Sequence, residues 1–156
     1  MKSIYKLIIS IAIPLVVGAL SGYFTSSSVN TWFKELIKPT FNPPSWIFAP
    51  VWTLLYILMG IAFYIIWNSH AKLEKRYTGY TYYWLQLVLN FFWSFLFFYY
   101  RRPDLALIDI ILLFIMIAST IFSFRKVSKT AAWLLAPYLC WVAFATALNF
   151  EIWRLN

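Results

Sequence analysis

Apolar runs of about twenty residues alternate with short polar links along this chain. A helix needs about 20 apolar residues to cross the hydrocarbon core of a bilayer. Stretches of that kind fall at about 4–24, 46–67, 80–100, 104–124 and 130–153. The pattern predicts an all-α integral membrane protein, a five-transmembrane-helix bundle forming a single membrane domain over residues 1–156. The first run, with Lys2 and Lys6 before it and Ser26 to Ser28 after it, has the outline of a cleavable signal peptide. It is long for one, and Gly18 and Gly22 form a G-x-x-x-G pair suited to close helix packing, so a retained helix is expected. Pro14 predicts a kink in it, and Pro137 a bend in the last helix.

The longest link, residues 25–45, has a pattern of its own. Trp32, Phe33, Leu36 and Ile37 fall on one side of a short helix, with Lys34, Glu35 and Lys38 on the other. Pro39, Pro43 and Pro44 then stiffen the return path. This reads as an ordered cap lying at the interface, either roofing a pocket or serving as an anchor. Trp46 and Trp67 stand at the two headgroup levels of the second span. Pro103 and Asp104 suit the first turn of the fourth.

Composition agrees with this pattern. Hydrophobic residues make up 63% of the chain and charged ones 12%, where a soluble domain carries about 25% charged residues. The net charge of +8 lies in the links, where it meets lipid phosphates. No basic helix or stripe is present to form a nucleic-acid footprint. Lys2, Lys6, Lys72, Lys75, Arg76, Arg125, Lys126 and Lys129 fall on the N-terminal side, against Lys34, Lys38, Arg101, Arg102 and Arg154 opposite. The excess predicts a cytoplasmic N-terminus and an outward-facing cap.

Standard catalytic constellations are missing. There is no P-loop, G-x-S-x-G or H-E-x-x-H. Cys140 is the only cysteine and His70 the only histidine, so no metal site is expected. Asp109 is the one carboxylate well inside a span, near the start of the fourth; it reads as a functional group or as a polar residue at the headgroup boundary. The unusual feature is aromatic content, 22%. Gln86, Asn90, Trp93, Ser94 and Phe97 share one face of the third span. Tyr138, Trp141, Ala145, Leu148 and Asn149 share one face of the fifth, where small Ala145 beside Trp141 leaves room for something flat. Such faces fit a ligand pocket, and they equally fit plain helix packing, since interhelical hydrogen bonds need no ligand.

Three stretches are distinctive. They are Lys38-Pro39-Thr40-Phe41-Asn42-Pro43-Pro44-Ser45-Trp46 with Ala49-Pro50-Val51-Trp52 and Tyr56, then Gln86 to Trp93, then Ala136-Pro137-Tyr138 to Asn149. With the five-span layout they make the chain resemble the translocator protein family, also called tryptophan-rich sensory proteins or peripheral-type benzodiazepine receptors. The resemblance covers nearly the whole chain and points to a bacterial-type member in a cell membrane.

The resemblance implies a five-helix bundle, often a homodimer, with a pocket roofed by the first loop. It implies binding of tetrapyrroles such as protoporphyrin IX, and of isoquinoline carboxamide and benzodiazepine-type ligands. In some bacterial members it implies light-dependent oxidative breakdown of the porphyrin. Trp52 and Trp141 match the family's pocket tryptophans, and Trp32, Asn90, Trp93, Ala145 and Leu148 match further lining positions. A mechanism that fits these positions gives Trp52 and Trp141 the photochemical role, with Tyr138 on the face of Trp141 and Lys34 and Lys38 at the mouth pairing with the propionates. No intrinsic cofactor is expected. Transport of porphyrins or other apolar compounds, and a ligand-dependent sensor or scaffold, stand as alternatives. Two positions depart from the family. Phe41 stands where tryptophan is usual, and Phe150 replaces the tyrosine of the animal sterol motif, which leaves no complete sterol motif here.

Overall fold

The computed structural model describes the whole chain, Met1 to Asn156, and it is all-helical. The helices are α1 (Ser3–Asn30), the short α2 (Trp32–Glu35), α3 (Phe48–Trp67), α4 (Leu73–Ser94), α5 (Pro103–Arg125) and α6 (Lys129–Leu155). A 3₁₀ turn, Ser45–Ile47, leads into α3, and a π-helical segment, Phe95–Tyr99, continues α4. The five long helices form a closed ring in which α1 lies on α3, α3 on α6, α6 on α5, α5 on α4, and α4 returns to α1.

Four of these are long and apolar enough to cross a membrane: α1, α3 with its leading turn, α5 and α6. Helix α4 does not meet that measure. Its first turns carry Glu74, Lys75 and Arg76, and its inner face carries buried Gln86 and Asn90.

Several boundaries differ from the sequence pattern. Helix α1 runs on to Asn30, through residues expected to be loop. Three hydroxyls near its end bond carbonyls one turn back: Thr25 Oγ1 donates to Ser21 O at 2.6 Å, Ser26 Oγ to Tyr23 O at 3.1 Å, and Thr31 Oγ1 to Ser27 O at 2.7 Å. A serine-rich stretch therefore stays helical without water. Helix α4 starts at Leu73 rather than near residue 80, so its charged first turns are helix rather than link. Both α1 and α6 continue past their prolines without a break. Pro103 opens α5, with Arg102 bridging Asp104 at 2.8 Å. Ser128 caps α6, its Oγ accepting from Ala131 N at 3.2 Å.

The core is a stack of large side chains from all the long helices except α1, centred on Met59, Ile66, Tyr83, Leu113, Leu135 and Val142. A smaller cluster of Phe33, Phe97, Ala106, Leu148 and Ile152 lies beneath the α1–α3 connection. The short helix ends at Glu35, so Ile37 escapes the inward face and is exposed. Phe33 anchors the connection against Phe98, ring centroids 5.4 Å apart. A second anchor comes from the end of the chain: the Asn156 side chain accepts from Ile37 N at 3.0 Å and donates to Ile37 O at 2.8 Å.

The two glycines of the first helix have different jobs. A Cβ on Gly18 would sit 2.3 Å from the Tyr56 ring, so this glycine permits close approach of α1 to α3. A Cβ on Gly22 would meet nothing within 4 Å.

Candidate functional site

A cavity of about 570 Å³ occupies the half of the bundle beneath the α1–α3 connection. Helix α1 contributes Ser21, Gly22 and Thr25; α3 contributes Phe48, Trp52 and Tyr56; α4 and its π segment contribute Asn90, Trp93 and Phe97; α6 contributes Trp141, Ala145 and Leu148. Phe33 and Ser45 enclose it from the connection. No residue of α5 reaches it. That helix buttresses α4 and α6 from behind.

The floor is a chain of hydrogen bonds. Tyr56 OH donates to Asn90 Oδ1 at 2.9 Å, Asn90 Nδ2 donates to Tyr138 OH at 2.7 Å, and Tyr138 OH donates to Gln86 Oε1 at 2.7 Å. All four residues are buried. The chain fixes α3, α4 and α6 relative to one another and orients the rings above it. Trp52 lies over this floor, 5.7 Å from Tyr56 and 6.2 Å from Tyr138 between ring centroids. Trp93 is held from the side, its Nε1 donating to Asn149 Oδ1 at 3.0 Å, and Asn149 in turn donates to Pro103 O at 2.9 Å. Trp141 packs edge-on to Phe48 at 6.0 Å.

Two polar atoms of the wall are buried without a partner, Trp141 Nε1 and Ser21 Oγ. In an apolar cavity an unpaired N–H or O–H is costly. Asn90 differs. Its oxygen and one N–H are already engaged by the two tyrosines, so it acts mainly as floor.

Of the residues singled out from sequence, Trp52, Asn90, Trp93, Trp141, Ala145 and Leu148 all line this one cavity. Tyr138 lies beneath it, as part of the floor. Trp32 stands outside the lining and packs on Phe97, 5.9 Å between centroids. Lys34 is exposed and away from the lining. Lys38 Nζ is turned onto Leu36 O at 3.2 Å and over the Phe33 ring at 4.7 Å. Asp109 is buried on α5 with Oδ2 unpaired, outside the cavity. The sequence reading missed the α1 wall. Its signal was there, in Ser21 and Thr25 one turn apart beside Gly18 and Gly22, a small polar face on an otherwise apolar helix.

Replacing Asn90 with leucine is expected to cost about 1–2 kcal/mol of stability, near the upper end for a membrane hydrogen-bonding position, because it breaks two bonds of the chain at once. Unfolding in detergent micelles, followed by circular dichroism, measures this.

The arrangement defines a helical integral membrane protein with an aromatic-walled cavity inside one half of its bundle. The sequence pattern of the TspO/MBR family matches residues 10–154, and the chain belongs to that family. It is 46% identical over 154 residues to the tryptophan-rich protein TspO of Archaeoglobus fulgidus, with 99% of each chain covered. It is 43% identical over 155 residues to the protein of the same name from Chlorobaculum tepidum, covering 99% of this chain and 98% of that one. The translocator protein of Bos taurus is 39% identical over 151 residues, covering 92% and 86%.

Proposed function

We propose that this protein binds a flat aromatic guest of the tetrapyrrole class, such as protoporphyrin IX, between Trp52 and Trp141. The observation that carries this is the pair of half-buried indoles from α3 and α6 on the walls of one cavity of about 570 Å³. That volume falls in the range of small-molecule sites, about 300–1,000 Å³. Indoles gain little from burial against lipid-like surroundings, but they gain about 0.5–1.5 kcal/mol from each well-placed aromatic contact. A turn of the Trp141 or Ser21 side chain lets the unpaired Nε1 or Oγ donate to the guest's oxygen atoms. The same features suit an isoquinoline carboxamide or benzodiazepine-type ligand with one carbonyl.

In this reading α4 is the fifth crossing. Its mid-helix polar residues, Gln86 and Asn90, face inward and are paired, while exposed Glu74, Lys75, Thr78 and Thr81 lie in its first turns toward one end of the bundle. The N-terminus lies in the cytoplasm and the cavity in the outer half of the bilayer. Light absorbed by a bound porphyrin is passed to dioxygen, and the singlet oxygen formed adds across a double bond of the ring where the indoles hold it, so dioxygen is the oxidant. The protein provides position and neighbours, with no general acid or base.

The test is the double variant Trp52→Phe/Trp141→Phe, titrated with protoporphyrin IX in darkness and then illuminated. Dark binding is expected to weaken by about tenfold, because phenylalanine keeps a ring but gives up the wider indole face and the Trp141 N–H. Loss of porphyrin absorbance under light is expected to slow to its rate in protein-free micelles. Unchanged binding and unchanged photodegradation together remove the role given to the two tryptophans.

A further inference from the structure

A second, smaller cavity lies at the opposite end of the bundle, with a volume of about 240 Å³. Ile9, Ser10 and Ile13 of α1 form one side, Phe63 and Trp67 of α3 the floor, and Tyr83 and Trp84 of α4 the other side. The volume is below the usual small-molecule range of about 300–1,000 Å³ and too narrow for a tetrapyrrole. The surface its walls expose is wholly apolar, and one unpaired polar atom lies just behind it. Ser10 is 3% exposed, and its Oγ is buried without a partner.

Two cations stand beside Trp67 at the cavity mouth, with Glu74 in the first turn of the same helix as one of them. Lys6 Nζ stands over the Trp67 ring, 5.6 Å from its centroid. Arg76 Nη1 donates to Trp67 O at 3.2 Å and to Tyr80 OH at 3.3 Å, while Arg76 Nε is buried and unpaired. Neither cation has a carboxylate partner. The protein's two ion pairs, Arg102–Asp104 and Arg154–Glu151, are both at the other end of the bundle.

Along α1 these groups stand in order. Lys6, Ile9, Ser10 and Ile13 occupy one helical face, since positions three, four and seven apart are aligned. Ser10 is one turn below Lys6, about 6 Å along the axis, and Ile13 about 10 Å below it. A phospholipid carries the same order of chemistry: an anionic phosphate, then ester carbonyls, then an acyl chain.

We propose that this groove is a site for one anionic phospholipid. Lys6 and Arg76 hold the phosphate, a turn of the Ser10 side chain lets its unpaired Oγ donate to an ester carbonyl, and an acyl chain lies between α1 and α4 on Phe63, Tyr83 and Trp84. The lipid fills a seam of the ring of helices where α1 and α4 leave space, and it neutralises cations that the chain itself leaves unpaired. The site is independent of any guest in the larger cavity.

The test is titration of the purified full-length protein in micelles with phosphatidylglycerol and with phosphatidylcholine of identical chains, read by native mass spectrometry. One phosphatidylglycerol is expected to bind at least about fivefold more tightly than phosphatidylcholine, the worth of one basic contact. Lys6→Ala is expected to remove about fivefold of that affinity, and Lys6→Ala/Arg76→Gln more, with phosphatidylcholine unaffected. Arg125→Gln/Lys126→Ala removes equal charge on the same side and is expected to change nothing. Ser10→Leu, which fills the groove, is expected to weaken both lipids. Lys6 lies in the first turns of α1 and makes no side-chain hydrogen bond or ion pair, only its contact over the Trp67 ring, so Lys6→Ala serves if other variants fail to fold. Equal binding of the two lipids by the wild type, or equal phosphatidylglycerol binding by wild type and Lys6→Ala, overturns the proposal. So does a Ser10→Leu protein that loses a dimer while its lipid binding is unchanged, since a second copy would then be the occupant.

Discussion

Gly22→Trp is expected to weaken tetrapyrrole binding by at least about 100-fold, some 2.8 kcal/mol, while leaving the fold intact. Gly22 is on the cavity wall, and a Cβ there meets no atom within 4 Å. An indole built from that point occupies space that a flat guest must use, and overlap with a fixed side chain costs more than the affinity such a guest can recover. The helix keeps its backbone, because tryptophan is a better helix former than glycine. Binding followed by porphyrin absorbance, beside a thermal unfolding curve in the same micelles, separates the two effects. Binding within threefold of wild type would show that the guest sits elsewhere.

Gly60→Ala is expected to cost about 2–3 kcal/mol of stability, the upper part of the range for overpacking a tight interface. Here the obstacle is backbone. A Cβ on Gly60 would stand 2.5 Å from Ser10 O and 2.6 Å from Ile11 Cα. A flexible side chain can turn aside, but two helix backbones in contact have to move apart. The expected result is a lower unfolding midpoint in micelles and loosening of α1 from α3, visible as faster proteolysis within α1. The contrast with Gly22, which stands on α1 beside open space, makes the pair of variants informative together.

Much of this architecture was legible in the amino-acid order. Apolar length located the cores of the long helices, because lipid admits few alternatives to a helix for an unbroken apolar run. The faces holding Asn90 and Trp93 on α4, and Trp141 and Ala145 on α6, followed from helical spacing, since polar groups at mid-membrane turn away from lipid. Helix ends were less legible. The extension of α1 through Ser26 to Asn30 depends on hydroxyls bonding carbonyls of their own helix, which a hydropathy pattern does not register. The cap was harder still. Lys34 and Lys38 read as a polar edge at a pocket mouth, yet Lys38 folds back over Phe33 and its neighbouring carbonyl, where local contacts outweigh exposure. The α1 wall was missed because Gly18 and Gly22 look alike in sequence; only three-dimensional context separates a glycine that touches a ring from one that borders a void.

The widened turns at Phe95–Tyr99 carry a warning for anyone choosing probe positions. Tyr100 N bonds Phe95 O at 2.8 Å, a five-residue reach, and Arg101 then turns with φ of 55°. A helical wheel drawn at 3.6 residues per turn through α4 loses phase at that point. Spin-label pairs or engineered cysteines beyond Phe95, picked by regular periodicity from Asn90 or Trp93, will land on the neighbouring stripe, and distances interpreted on the regular pitch will be misassigned by one residue.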